Sequence, residues 1–354
     1  MPAGSKKKNT KTTSRPAAAS KPINLEETYQ RVQTFRENFN YDAAIQELTD
    51  AQTQYPNDTR ILDLLGDVYV ENADQGRATM TFKKSIKIAP DNNFNKYMQM
   101  GQLSDGKEAL QYFNKGLQIL QSIKQSATKP IDYDESAINK HIASGCCAVA
   151  ELFMTDLCFE ANAEQECEKA LMAGLREDND NNSQLLQTLA NFRLCQVSNP
   201  VADPVQEAKK LMTKVVEQLL DNVSGDYNKP LYDFRINTVK ICLEIGLVEE
   251  AEKIVEQLLA EYDQITDTWY LLGVVLREKQ DLNGAIKHMK KALEVGKSVN
   301  EDVAFLKEIQ SDLDACTEDL VKSGGTLEQD NDDDDALIVE DDGDDDWEDD
   351  EEMK

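Results

Sequence analysis

TRILDLLGDVYVENADQGRATMTFKKSIKIAP, residues 59–90, sets a register that much of the chain repeats. Within it Leu62, Leu65, Gly66 and Tyr69 are followed by Ala78, Phe82, Ser85 and Pro90. The order is large, large, small, aromatic, then small, large, small, proline. Moving back by 34 residues finds Phe35, Ala44, Leu48, Ala51 and Pro56 where Tyr69, Ala78, Phe82, Ser85 and Pro90 stand. Five matches at one fixed offset mark an internal repeat whose unit is a pair of amphipathic helices.

A helix-pair repeat of this period and this order of sizes is the tetratricopeptide pattern. Gly66 and Ala78 are small where the two helices of a pair press together, and Tyr69 and Phe82 are read as filling the space between neighbouring units. Pro90 stops the second helix, because proline lacks the amide donor and clashes with the preceding turn. One pair cannot bury its apolar face alone, so such units stack into a superhelix with an extended concave surface. The expected fold is therefore all-α: a tetratricopeptide-repeat superhelix of about seven helix pairs with a C-terminal capping helix.

The register places repeat one at about 25–58 and repeat two at 59–92. A shorter third pair has a first helix over Lys96–Leu103, a turn at Ser104-Asp105-Gly106, and Ala109, Phe113 and Gly116 on its second helix. Pro130 marks a linker between Ala127 and Asp134, after which a helix is expected over about Ile138–Phe159. Its partner carries Ala163, Cys167 and Ala170, and a polar loop follows at Asp178–Asn182. The fifth pair uses Leu186, Leu189 and Ala190, then Ala208, Met212 and Val215, with prolines 200 and 204 in the turn. After a polar break at Asn222–Pro230 the register returns. Cys242, Ala251, Val255 and Leu258 are matched 34 residues on by Leu276, Ala285, Met289 and Ala292, a repeat opened by Trp269, Leu272 and Gly273. Residues 299–322 form an amphipathic helix on Val303, Leu306, Ile309, Leu313, Cys316 and Leu320, suited to a terminal cap.

The two ends differ from the body. Residues 1–21 carry Lys6, Lys7, Lys8, Lys11, Arg15 and Lys21 with no acid, and are expected to be disordered. A nuclear-import signal and a solvated tail both fit that composition. Residues 328–354 hold 17 Asp or Glu against one Lys, a block expected to repel itself and stay unfolded. Within it, Ala336-Leu337-Ile338-Val339-Glu340 fits either an added strand on a small modifier protein or a chance string, and Trp347 fits either a cation–π anchor for a basic partner or no role at all. The domains are thus a basic N-terminus (1–21), a repeat solenoid (22–323) and an acidic tail (324–354).

The whole chain has 354 residues and a formal net charge of −29. Taking away the tail's −16 and the N-terminus's +6 leaves −19 for residues 22–327, so the body is acidic in its own right. That charge argues against nucleic acid as a direct partner and for a basic protein. No apolar run is long enough to span a bilayer, and no secretory signal pattern opens the chain. Seven cysteines without a C-x-x-C pair read as small core residues in a reducing compartment.

Nothing in the sequence gathers a catalytic set. His141 and His288 fall in different repeats, Gly106-Lys107 lacks the rest of a phosphate loop, and no enzyme, cofactor or metal centre is expected. The candidate site is the concave wall, built from positions 2, 5, 9 and 12 of each first helix. These are Glu26, Tyr29, Gln33 and Arg36 in repeat one, Arg60, Asp63, Asp67 and Val70 in repeat two, and Asp267, Tyr270, Val274 and Arg277 in repeat seven. Asp63 and Asp67, one turn apart on one face, fit either a pair of acceptors for a basic client side chain or an ordinary solvated face. The client-binding groove is assigned to Glu26, Tyr29, Gln33, Asp63, Asp67, Asp267 and Tyr270. Acids at these places argue against capture of a carboxylate terminus.

Taken together, the lysine-rich start at Lys6–Lys8, the regular repeats ending at Pro56 and Pro90, and the short third pair with Gly101-Gln102-Leu103 form a distinctive series. The series continues with the irregular middle, the Trp269 repeat and the acidic tail with Trp347. In this the chain resembles the fungal dedicated assembly chaperones of large-subunit ribosomal protein L-four. The resemblance implies a protein that captures a newly made, strongly basic ribosomal client along its long internal loop and keeps it soluble. It also implies travel from cytoplasm to nucleus, with a nuclear import receptor as a further partner, before the client joins the 60S precursor. The alternatives are a repeat scaffold in a nuclear complex and an acidic-tail histone chaperone.

Overall fold

The computed structural model describes residues 23–126, 134–179, 181–196, 203–221 and 230–326. The readings placed on the basic N-terminus, the Pro130 linker, Pro200, the break from Asn222 and the acidic tail with Ala336–Glu340 and Trp347 lie outside them. Among the described residues there are fifteen helices and no strand. They are α1 (Leu25–Glu37), α2 (Tyr41–Gln54), α3 (Thr59–Glu71), α4 (Gln75–Ile88), α5 (Asn95–Gln102), α6 (Gly106–Gln125), α7 (Glu135–Met154) and α8 (Ala163–Glu177). The rest are α9 (Ser183–Cys195), α10 (Pro204–Asp221), α11 (Tyr232–Glu244), α12 (Val248–Glu261), α13 (Thr266–Glu278), α14 (Leu282–Ser298) and α15 (Val303–Lys322). Seven pairs and a terminal helix are what the register anticipates.

The chain divides into two compact units, residues 1–188 and 189–354, with the division inside α9. In the first unit α1 packs on α2, α2 on α3, α3 on α4, and the series resumes from α5 through α8. Its regular end is a core of Val32, Leu48, Ile61, Leu65, Ala78 and Phe82, all nearly or fully buried. A second core joins Phe94, Tyr97 and Leu120 to Ile138 and Ile142 of α7. In the second unit α10 packs on α11, and each helix from α11 to α15 packs on the next. There Ala285, Met289 and Ala292 of α14 close on Ile309, Leu313 and Cys316 of α15.

The turn inside each regular pair has one construction. Phe39, Ala73, Gly246 and Gln280 all adopt positive φ, at 54°, 56°, 71° and 66°. The amide after each of them donates back to the carbonyl five residues earlier: Asn40 to Phe35 (2.8 Å), Asp74 to Tyr69 (2.8 Å), Leu247 to Cys242 (2.7 Å) and Asp281 to Leu276 (2.9 Å). This is the left-handed C-cap that satisfies the last carbonyls of a helix. The next residue then starts the following helix. The side-chain oxygens of Asn40, Asp74 and Asp281 accept from the amides of Ala43, Arg77 and Gly284 at 3.3, 2.9 and 2.9 Å.

Several expectations need correction. The ring of Phe82 rests on Gly66 of its own pair, where a Cβ would meet the ring carbons at 2.4–2.8 Å; it is an intra-pair contact. In the third pair Gly101 meets Phe113 in the same way, with the first helix only 8 residues long. The turn is therefore reached about one helical turn sooner than in repeat two. Helix α7 ends at Met154, short of the expected Phe159. Leu157 is drawn into the core at 5% exposure, and Asp156 accepts the Gly106 amide at the start of α6 at 2.9 Å. The last helix starts at Val303, because Asn300 (φ 57°) closes α14 and Asp302 caps α15. Cys146, Cys147, Cys167, Cys242 and Cys316 are buried, whereas Cys158 and Cys195 are exposed. Burial pushes the Cys146 thiol up to about 11 and that of Cys242 up to about 12, so both are neutral core groups.

Candidate functional site: two helix walls

In the first unit the wall runs across α1, α3 and α5. Glu26 is exposed in the first turn of α1. The Arg60 guanidinium lies over the Tyr29 ring, 4.6 Å from its centroid, and fixes α3 against α1. Burial, then the neighbouring Asp58, raises the Tyr29 phenol above its ordinary value, with Arg60 opposing. Gln33 is exposed, donates to Glu37 at 3.1 Å and accepts from Arg36 at 3.3 Å. Arg36 in turn donates from Nε to both carboxylate oxygens of Glu71, at 3.2 and 3.0 Å. Neutral and cationic groups therefore alternate with acids along this wall.

Asp63 and Asp67 are placed quite differently from each other. Asp63 is only 6% exposed and accepts from Ser85 and, at 2.9 Å, from Asn93. Beneath it the Lys96 ammonium, with no exposed surface, donates to Ser85 Oγ at 3.3 Å and to the Ala89 carbonyl at 2.8 Å. Desolvation lowers the Lys96 pKa and Asp63 opposes the change. Asp63, Ser85, Asn93 and Lys96 form a buried polar network that ties α3, the end of α4 and the start of α5 together. Asp63 thus holds the fold rather than presenting a free carboxylate to a client.

Asp67 is half-buried, one turn further along α3, and accepts from Asn95 at 3.1 Å. Its pKa is pushed up to about 7 by desolvation, with Asp63 and Glu71 adding to the rise and Arg36 opposing it. A carboxyl between two acids is stabilised by any cation brought to it. Chemically it is the acceptor on this wall suited to a guanidinium or ammonium.

The second unit carries its own wall on α11, α13 and α15. Asp267 pairs with Lys240 of α11 at 3.2 Å. The Tyr270 hydroxyl donates to Asp312 at 2.6 Å, and its ring meets Phe305 edge-on with centroids 5.6 Å apart. Burial, followed by that hydrogen bond, raises its phenol well above the usual value. Arg277 sits 3.7 Å from Asp312 and 3.5 Å from Asp319. Helix α15 therefore does for the last pair what the next first helix does elsewhere.

The structure brings Tyr29 to Arg60, Gln33 to Arg36, and Asp63 and Asp67 to the asparagines that precede and open α5. Asp267 and Tyr270 belong to the second unit and engage α11 and α15. Sequence reading missed Asn93, Asn95 and Lys96, because the shortened third pair hides their register. It also missed Lys240, which stands at the ninth wall position of α11, and Asp312. None of the described helices is long and apolar enough to cross a membrane.

With this geometry in view the chain can be set beside known proteins. A family model described as tetratricopeptide repeat matches residues 59–92 and 266–295. The fold is that of an all-α tetratricopeptide-repeat protein. More particularly, the chain resembles fungal proteins curated as "Probable assembly chaperone of rpl4". That of Schizosaccharomyces pombe is 35% identical over 223 residues, 61% of this chain and 62% of that protein. That of Emericella nidulans is 25% identical over 264 residues, 72% of this chain and 63% of that protein. The matched part thus spans a little under two thirds of these relatives. Among solved structures, "Assembly Chaperone of RpL4 (Acl4)", residues 1–338, aligns with a TM-score of 0.64 at 24% identity, over 73% of this chain and 98% of that one. The Cut9–Hcn1 tetramer of the APC/C aligns with a TM-score of 0.53 at 12% identity, over 82% and 50%. Both structures share the fold.

Proposed function

We propose that this chain is a dedicated assembly chaperone for a basic ribosomal protein of the rpl4 kind. The carrying observation is the similarity to two curated proteins of that name, one at 35% identity. The charge agrees with it: a chain at −29 attracts and screens a cationic protein that has not yet met its RNA. The work is binding, not catalysis. Client residues dock on the walls of α1–α3–α5 and α11–α13–α15, with Asp67 and Glu26 as cation acceptors. The complex forms in the cytoplasm and enters the nucleus through an import receptor, where the client passes to the 60S precursor.

The test is a pull-down of the tagged chain at moderate salt with RNase, read by mass spectrometry. One basic large-subunit ribosomal protein in near-equal amount is the expected result. Histones, or the subunits of a larger nuclear complex, would overturn the reading. Within the complex, Glu26→Lys with Asp67→Lys should weaken client binding about tenfold or more, whereas removing residues 328–354 leaves a stable complex. Asp63→Lys is unsuitable as a binding probe, since it would break the buried network.

A further inference from the structure

Helix α4 carries Arg77, Lys83, Lys84 and Lys87 and no acid, in a chain whose net charge is −29. Its buried residues are Ala78, Phe82 and Ser85. This is the side that meets α3, where the Phe82 ring rests on Gly66 and Ser85 donates to Asp63. At 100° per residue Arg77, Met80, Lys83, Lys84 and Lys87 fall within one third of the helix circumference, on the opposite side. All five are exposed, Met80 at 67%, and Ile88 beside them is 39% exposed. The face thus points away from α3 and from the wall that α3 helps to build.

The repeat does not demand such a face. Thirty-four residues earlier the places of Met80, Lys83, Lys84 and Lys87 hold Gln46, Thr49, Asp50 and Thr53, and α2 has no base at all. Two of the cations of α4 have partners. Arg77 pairs with its helix cap Asp74, and Lys83 stands 3.7 Å from Glu108, both of those side chains being more than half exposed. Lys84 and Lys87 make no ion pair or hydrogen bond among the described residues. Met80, Lys84 and Ile88 follow one another at one-turn steps, with Lys87 alongside. Two apolar side chains in water therefore bracket two unpaired ammonium groups.

We propose that this face docks an acidic segment of another protein, in which two apolar side chains flank a group of carboxylates. The apolar pair seats on Met80 and Ile88, the thioether of Met80 adapting to their shape. The carboxylates accept from Lys84 and Lys87. Met80 and Ile88 are about 12 Å apart along the axis, a span that about four residues of extended chain cover at roughly 3.3 Å each. Sign of charge separates this partner from a basic client, which the lysines repel, and the two faces are open at the same time. A nucleic-acid strand would use the lysines but leave Met80 and Ile88 in water, and each of its many phosphates meets the repulsion of a chain at −29. The inference stands without the ribosomal reading, because it concerns the chain alone.

The experiment uses the full chain, labelled with carbon-13 at its methionine methyl groups. The probe is a synthetic aspartate-rich peptide with two leucines four residues apart. Adding it should move the Met80 methyl signal, which Met80→Leu assigns. Lys84→Glu with Lys87→Glu should weaken binding at least about fivefold, and an unchanged thermal melt shows that this exposed variant keeps its fold. Changing both leucines of the peptide to serine should weaken binding at least about threefold. Equal binding by the parent and doubly substituted chains, equal affinity for the leucine and serine peptides, or an unmoved Met80 signal at about 1 mM peptide would overturn the proposal. So would a single-stranded RNA of about ten nucleotides that moves the Met80 signal more readily than the peptide, which assigns the face to nucleic acid. Vesicles of phosphatidylcholine with about one third phosphatidylserine doing the same would overturn it in favour of a membrane surface.

Discussion

Asp67 shows how a half-buried wall carboxylate can cost the fold stability. Its ordinary pKa of 3.8 is pushed up to about 7 in the folded chain. Between those values the native state binds a proton that the unfolded state has released, so stability falls as pH rises and levels off above about 7. Asp67→Asn keeps an oxygen for the Asn95 amide and removes the charge. With the shift discounted for the half-exposed position, that variant should be about 1–2 kcal/mol more stable near pH 8 and unchanged near pH 4. Urea unfolding at both pH values measures it, and equal curves at pH 8 would show that Asp67 is ionised without penalty. Asp63, one turn away, illustrates the limit of reading a wall from a period alone. Its partners Ser85, Asn93 and Lys96 come from the following helices, and nothing in the α3 sequence announces them.

At the scale of the element, the turn inside each pair is decided by backbone chirality as much as by the apolar pattern. Three of the four left-handed positions are not glycine: Phe39, Ala73 and Gln280. A non-glycine residue there carries a penalty of roughly 1–2 kcal/mol, partly offset by the chain entropy that glycine loses. Ala73 is exposed and has little packing to lose, so Ala73→Gly should stabilise the first unit by about 0.5–1 kcal/mol. Thermal unfolding tests this, and a fall in Tm would mean that the turn is held by contacts of the Ala73 methyl. The sequence does carry a trace of this turn in Asn40, Asp74 and Asp281, each a helix-capping residue one place after the strained position. The short α5 is already legible in the turn at Ser104-Asp105-Gly106, whereas the early end of α7 leaves no such trace. Each is fixed by a contact with a distant segment: Gly101 with Phe113, and Asp156 with the start of α6.

At the scale of the molecule, charge governs encounter more than grip. The body's own acidity predicts that association with a basic client is fast and that raising salt slows it, with the rate falling about tenfold or more from low to physiological ionic strength. Stopped-flow mixing measures the rate. A salt-independent rate would place recognition on the apolar parts of the walls instead. Because many wall acids already hold a cation of this chain, as Asp267 holds Lys240 and Glu71 holds Arg36, net charge exceeds the charge on offer to a client.

The sequence by itself determined the class of fold, the number of helix pairs and the chemistry of the ends. A register repeated at a fixed offset forces the same apolar face to be buried each time, whatever surrounds it. It also carried the resemblance on which the proposal of a ribosomal client rests. Only the tertiary structure decided which acids are open and which are spent. Whether a wall carboxylate meets water or a neighbour's amide depends on helices brought beside it by packing, and the irregular third and fourth pairs shift those neighbours by a turn. That is why Asp67 stays half-open to water while Asp63, identical in type and one turn away, belongs to the core.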